Sequence, residues 1–180
     1  MSQKGFGNTV RAFNIGCGPE IFENGYQGYD QWRNVDSVYK HPQVENVDMR
    51  YARPIVSEGY DFALINHVLC TMRPEEALIV LNHTYDILRP GATIQVIDVD
   101  IMKAFDDYLH NEGKLLPIQD GNKDYNMCMH LSGYGTRLSL YTTQRMMDDL
   151  AEAGFKEMKQ VENSPYNTRP TESLVIQATK

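Results

Sequence analysis

The chain has 180 residues, 42% of them hydrophobic and 23% charged, with a formal net charge of −7. That is enough chain to bury a core, and residues 1–180 are expected to form a single domain. The acid excess and the lack of any Lys/Arg run argue against nucleic acid as a partner, and no apolar run reaches the roughly 20 residues that span a bilayer.

The polar stretch Met1–Arg11 lacks the apolar segment of a signal peptide, so a cytoplasmic protein is expected. Three cysteines without a C-x-x-C pair fit a reducing compartment and read as small buried side chains. Cys128 and His130 form an isolated C-x-H, too few ligands for zinc, and no metal is expected.

Short apolar runs alternate with helical stretches, the pattern of an α/β domain with a largely parallel sheet. Val10–Ile15 reads as a first strand, stopped by Gly16-Cys17-Gly18-Pro19. Weaker strands follow at Trp32–Val35 and Gln43–Val47, then a clear buried one at Asp61–Asn66. Pro74-Glu75-Glu76 opens a helix, with proline in its first turn and acids at the positive end of its dipole. Ala77, Leu78, Leu81, Thr84, Tyr85 and Leu88 recur along it at three- and four-residue spacing. Arg89-Pro90-Gly91 ends it, and Thr93–Val99 is the next strand. A helix is expected over Met102–Leu109, an irregular stretch over Gly113–Gly135, and a second firm helix from Thr142, closed by Gly154. Phe155–Val161 and Leu174–Ala178 have no helix between them and read as an antiparallel pair.

Open α/β sheets bind ligands at the carboxyl ends of their strands. Gly16, Cys17 and Gly18 stand where the first strand turns, and glycine there lets backbone approach a ligand closely. Asp36 follows the second strand, placed to accept hydroxyl hydrogen bonds from a ribose or to cap a turn. Asp48 and Met49 follow the third strand, where an acid and a thioether suit an adenine edge and face; an ion pair with Arg50 is the alternative. Asn66 and His67 end the fourth strand, and Asp98 and Asp100 the fifth, where an aspartate also serves as a helix cap. A dinucleotide fingerprint needs G-x-G-x-x-G opening a long helix. Here Ile21 takes the third glycine position, and Pro19, Asn24, Gly25 and Gly28 crowd the segment where that helix would run. A pyrophosphate would lose its helix dipole; S-adenosylmethionine has no phosphate and would lose little.

In order, Phe13-Asn14-Ile15-Gly16-Cys17-Gly18, Trp32-Arg33-Asn34-Val35-Asp36, Asp48-Met49-Arg50, Tyr60 through Leu69, Pro74-Glu75-Glu76-Ala77, Leu88-Arg89-Pro90-Gly91 and Tyr141-Thr142 through Gly154-Phe155 resemble the type 11 class of class I S-adenosylmethionine-dependent methyltransferases. The resemblance implies a three-layer Rossmann-like sheet, mostly parallel, whose seventh strand is inserted antiparallel in a C-terminal hairpin, and S-adenosylmethionine as cofactor. It carries over Gly16 and Gly18 as the backbone cradle, Asp36 as the ribose acid, Asp48 as an adenine contact, and Asn66 and His67 beside the methionine moiety. The chain departs from the family at Cys70-Thr71, where a Glu-His pair is usual, and in the absent helix after the glycine turn. Methyl transfer to a small molecule, a sugar or a protein group is the favoured activity. A non-catalytic module that holds the cofactor or its demethylated product is one alternative, and a dinucleotide or nucleotide-sugar enzyme is another. His67, Asp98, Tyr108, Tyr125, His130, Tyr134 and Tyr141 are candidate bases among which the sequence does not choose. Gly113–Gly135 and Asn163–Thr171 are the expected substrate-facing loops.

Overall fold

The computed structural model describes residues 9–51, 59–110, 137–169 and 173–180. They form strands β1 (Arg11–Ile15), β2 (Gln31–Asp36), β3 (Val44–Asn46) and β4 (Tyr60–Asn66), helix α1 (Pro74–Ile87), β5 (Leu88–Val99), helices α2 (Ile101–His110) and α3 (Thr143–Glu152), β6 (Lys156–Gln160) and β7 (Ser173–Thr179). The strands make one seven-stranded sheet in the order β3-β2-β1-β4-β5-β7-β6. Neighbours from β3 to β5 run parallel. Strand β7 is inserted antiparallel between β5 and β6.

Side chains on successive strand residues point to opposite faces, and the two faces here are covered differently. On one, Phe13, Ile15, Ala63, Ile65, Ile94, Val96 and Ile176 pack with Ala77, Val80 and Leu81 of α1 and Met146 and Leu150 of α3. Helix α1 starts as its sequence predicts, with Pro74 in the first turn and Glu76 Oε2 accepting from the Arg73 N–H at 2.9 Å. Thr142 caps α3 by accepting from the Arg145 N–H at 3.1 Å, and Gly154 ends it at φ +98°.

On the other face, Ala12, Trp32, Phe62, Leu64, Ile97 and Val175 lie beneath Phe22, Tyr29 and Tyr166, all from connecting segments. The chain between β1 and β2 has no α-helix there, only one turn of 3₁₀ helix at Tyr26–Gly28. Its backbone is held instead by buried amides. Asn34 Oδ1 accepts from the Phe22 N–H (3.1 Å) and from Asn14 Nδ2 (3.0 Å), while Asn34 Nδ2 donates to the Phe22 carbonyl (2.9 Å). Asn14 Nδ2 also donates to the Glu20 carbonyl at 2.8 Å, and Asn24 Oδ1 accepts from the Trp32 N–H at 2.9 Å. A loop cannot satisfy its own buried backbone groups as a helix does, so side chains of the sheet do it.

Most strand ends differ from expectation by a single residue, and the start of β5 by more. Strand β2 runs one residue further at each end than Trp32–Val35, and Asn34 within it is a buried member of the amide network. Strand β5 begins at Leu88, not Thr93: Leu88 pairs with Tyr60, and Gly91 and Ala92 pair with the far end of the chain, through Gly91 N–H to the Lys180 carbonyl (3.0 Å) and Lys180 N–H to the Ala92 carbonyl (2.9 Å). Among the described residues, no helix is long and apolar enough to cross a membrane.

Candidate functional site

Strands β1, β2 and β4 end side by side, and a cleft of about 360 Å³ opens at their carboxyl ends, lined by Gly16, Asp36, Val38, Arg50, His67 and Val68 among others. The sheet is thus responsible for bringing Gly16, Asp36 and His67 together from three segments distant in sequence. The volume lies in the range of small-molecule sites.

Gly16 adopts φ +64°, and a Cβ on it would stand 2.3 Å from Val68 Cγ2. Any side chain there would strain the backbone and drive into the β4 loop. The Gly16 and Cys17 N–H groups both donate to the Val35 carbonyl, at 2.8 and 3.1 Å, which clamps the turn to β2. Cys17 is buried; burial, helped by the Asp36 charge, pushes its thiol up to about 11, so it stays protonated and packs.

Asp36 Oδ2 accepts from the Gly18 N–H at 2.9 Å, and Oδ1 accepts from the Val38 and Tyr39 N–H groups at 2.8 Å each. A carboxylate has about four acceptor positions, so one remains on Oδ2 for a ligand. The acid shapes both the glycine turn and the loop after β2, besides being a candidate ribose acceptor.

His67 sits at φ +55°, a left-handed conformation that costs about 1–2 kcal/mol outside glycine. Ser173 Oγ donates to the Arg169 carbonyl at 2.7 Å and lies 3.2 Å from His67 Nε2, so its oxygen is left to accept from an Nε2–H. That fixes the lone pair on Nδ1, which is buried and has no hydrogen-bond partner among the described residues. Burial, then the charges of Arg169 and Arg137, lower the His67 pKa to about 4, so the ring is neutral at pH 7. Its neighbour Asn66 turns to the other face, where Nδ2 donates to Glu20 Oε2 (2.8 Å) and to the Tyr166 carbonyl (3.1 Å). Asn66 therefore joins β4 to the aromatic covering, and its Oδ1 is buried without a partner among the described residues.

Asp48 and Met49 are placed differently from the roles suggested for them. Met49 is 3% exposed and belongs to the core under α1, its carbonyl taken by His83 Nδ1 at 2.7 Å, so its thioether packs inside the fold. Asp48 is engaged by Arg50: Oδ1 accepts from the Arg50 N–H and Nε, both at 3.0 Å, and Oδ2 from Nη2 at 2.7 Å. That hydrogen bonding, above all, lowers the Asp48 pKa below the ordinary carboxylate value. Arg50, which the sequence offered only as a member of the Asp-Met-Arg motif, lines the cleft.

At the end of β5, Asp98 is fully buried and holds the turn that follows β4, Oδ2 accepting from the Cys70 N–H at 3.0 Å. Asp100 caps α2 by accepting from the Met102 N–H at 3.0 Å. Cys70 is buried with its thiol pushed up by burial, and Thr71 Oγ1 donates to the Val68 carbonyl at 2.7 Å. Tyr141 is 2% exposed and its hydroxyl is pushed up by burial. Tyr108 lies on α2. Tyr125, Cys128, His130, Tyr134 and the whole Gly113–Gly135 stretch lie outside the described residues. Among the described residues no group of three His, Cys, Asp or Glu side chains is placed to hold a metal ion.

No family model matches the chain, and no curated protein matches it. Solved structures do match. A S-adenosylmethionine-dependent methyltransferase from Archaeoglobus fulgidus superposes with a TM-score of 0.61 at 13% identity, over 95% of this chain and 86% of that one. The fold is that of S-adenosylmethionine-dependent methyltransferases. The N-methyltransferase NodS from Bradyrhizobium japonicum, solved with S-adenosyl-L-homocysteine, matches with a TM-score of 0.58 at 11% identity, over 95% of this chain and 78% of that one. A methyltransferase from Thermotoga maritima described as a possible histamine N-methyltransferase matches with a TM-score of 0.59 at 19% identity, over 97% and 84%. At these identities the likeness is one of fold.

Proposed function

We propose that the chain binds S-adenosylmethionine in the cleft at the ends of β1, β2 and β4 and transfers its methyl group to a small-molecule or sugar acceptor, as a member of the type 11-like methyltransferases. The observation that carries this is the convergence of Gly16, Asp36 and His67 on one cleft at the ligand-binding end of a methyltransferase-type sheet. The residues present fit the cofactor. Gly16 leaves bare backbone at the turn, and Asp36 keeps one acceptor for a ribose hydroxyl.

When bound, S-adenosylmethionine supplies an electrophilic methyl carbon on a sulfonium. The protein's part is alignment, which in favourable cases lowers a barrier by about 7–11 kcal/mol. Gly16 and Asp36 fix the donor's position. His67, neutral at pH 7 and with its Nε2 proton directed to Ser173, adds no repelling charge beside the sulfonium and keeps a lone pair on Nδ1. A second reading has its own support: Cys70, in the place of the family's usual acid, is buried with its N–H donating to Asp98, as expected of a module that binds the donor without catalysis.

Thermal melts with S-adenosylmethionine, S-adenosylhomocysteine, NADH and a sugar nucleotide test the binding. At about 100 times its dissociation constant a ligand adds about 2.7 kcal/mol, a rise of about 5–11 °C for this chain length. The expected result is a rise with the two adenosyl compounds only, reduced in Asp36→Ala. A rise only with NADH or the sugar nucleotide would overturn the proposal. Labelled-methyl transfer to an acceptor panel then separates the enzyme from the binding module.

A further inference from the structure

The end of the cleft beyond Asp36 is walled by Ser37, Val38 and Arg50. Arg50 is held there from several sides. Asp48 takes its Nε and Nη2, Glu76 Oε1 lies 3.4 Å from Nη1, and the Tyr51 ring centroid is 5.3 Å from Cζ. Glu76 is itself fixed at the start of α1 through the Arg73 N–H. Asp48 uses both carboxylate oxygens on Arg50, accepting from its backbone N–H, its Nη2 and an Nε–H shared between the two oxygens. The acid is thus committed to the guanidinium and is not among the residues lining the cleft, whereas the Arg50 side chain, 30% exposed, is.

We propose that Arg50 is the residue that meets the base of the bound nucleoside, and that Asp48 and Glu76 are positioning residues which hold its guanidinium. The inference rests on the reading that the cleft takes an adenosyl ligand. A guanidinium stacks on a base face and donates to ring acceptors; neither interaction requires the 6-amino group of adenine. The pocket thus selects a purine by its face and its acceptors and tolerates a 6-oxo base. A carboxylate accepting from the amino group would reject that base, because the acid would face an oxygen of like polarity.

Calorimetric titration of S-adenosylhomocysteine and S-inosylhomocysteine into the wild type, Asp48→Asn, Arg50→Gln and the double variant tests this. Wild-type affinities for the two compounds are expected to agree within about threefold, as face stacking is base-tolerant. Arg50→Gln is expected to weaken both about tenfold or more, and Asp48→Asn to weaken them less. Added to Arg50→Gln, the Asp48 change should have almost no further effect, the signature of residues acting as one unit. Melting points of the unliganded variants are read alongside: a merely structural role would lower them in step with the affinities, whereas loss of a base contact would leave that of Arg50→Gln near the wild type. A wild type that rejects the inosyl compound by tenfold or more, with the discrimination lost in Asp48→Asn, would overturn the inference and leave the cleft reading intact. So would an Arg50→Gln variant that binds both compounds as the wild type does. A wild type that binds neither compound would overturn the cleft reading and this inference together.

Discussion

The two faces of the sheet solve the same burial problem with different chemistry. Under α1 and α3 the contacts are mainly aliphatic, and each helix satisfies its interior backbone groups by itself. On the opposite face, aromatic rings from connecting segments supply the apolar cover, and Asn14, Asn24 and Asn34 supply hydrogen bonds that a helix would have made internally. The rings form one cluster: Phe22 stacks on Tyr26 at 4.8 Å between centroids, and Tyr166 meets Phe62 at 5.4 Å and Trp32 at 5.9 Å. The difference teaches that a helix missing between β1 and β2 need not leave the glycine turn loose. The amide network and the ring cluster hold the segment that carries Gly16 and Gly18.

The largest expected effect comes from breaking that network. Asn34→Ala leaves the Phe22 N–H and carbonyl without their partner and Asn14 Nδ2 with the Glu20 carbonyl alone, a cost of about 4 kcal/mol, or a melting temperature lower by about 10 °C. Leu81→Ala on the helix face should cost a comparable amount, about 3 kcal/mol. The two should part in ligand binding: Asn34→Ala is expected to weaken S-adenosylhomocysteine about tenfold or more by releasing the pre-organised turn, and Leu81→Ala to leave its affinity nearly unchanged. Equal affinity in both variants would show that the amide network serves stability without shaping the site.

A somewhat smaller effect depends on pH. The unfolded chain takes up a proton on His67 as pH falls below about 6.5, while the folded ring resists until about 4. Between these values the unfolded state binds more protons, so stability is fully present above about 6.5 and declines as pH falls, by up to about 3 kcal/mol. His67→Asn removes the titration, and asparagine tolerates the left-handed backbone. Urea midpoints measured from pH 7 to pH 4 should therefore change less in the variant than in the wild type. Identical profiles would locate the acid sensitivity elsewhere.

The smallest effect tests the helix face at its rim. Thr142→Ala removes the cap of α3 and is expected to cost about 1 kcal/mol, a fall of about 2–4 °C, with S-adenosylhomocysteine affinity unchanged. A change in affinity would mean that α3 reaches the site through the segment before it, whose Leu138 and Ser139 N–H groups donate to the Cys70 carbonyl at 2.7 and 3.1 Å.

The elements legible before folding were those whose signals are local. Helix α1 announces itself through Pro74, the acids after it and a three-to-four apolar period; α3 through Thr142 and Gly154; β1 and β4 through apolar runs. Their order already implied an α/β sheet, and Gly16, Gly18 and Asp36 could be proposed together because each follows a strand. Long-range contacts decided what local signals could not. Asn34 is a polar strand residue without an assigned role until Asn14 and the Phe22 backbone stand beside it. Leu88–Ala92 looks like a turn until Tyr60 and Lys180 offer it partners. Along the chain Asp48 can serve an adenine or an ion pair, and only the packed structure pairs the acid with Arg50 and puts the guanidinium on the cleft wall. A strand or helix is specified by the period of its own residues, whereas a buried polar group acquires its role from partners that the chain meets only when the sheet has closed.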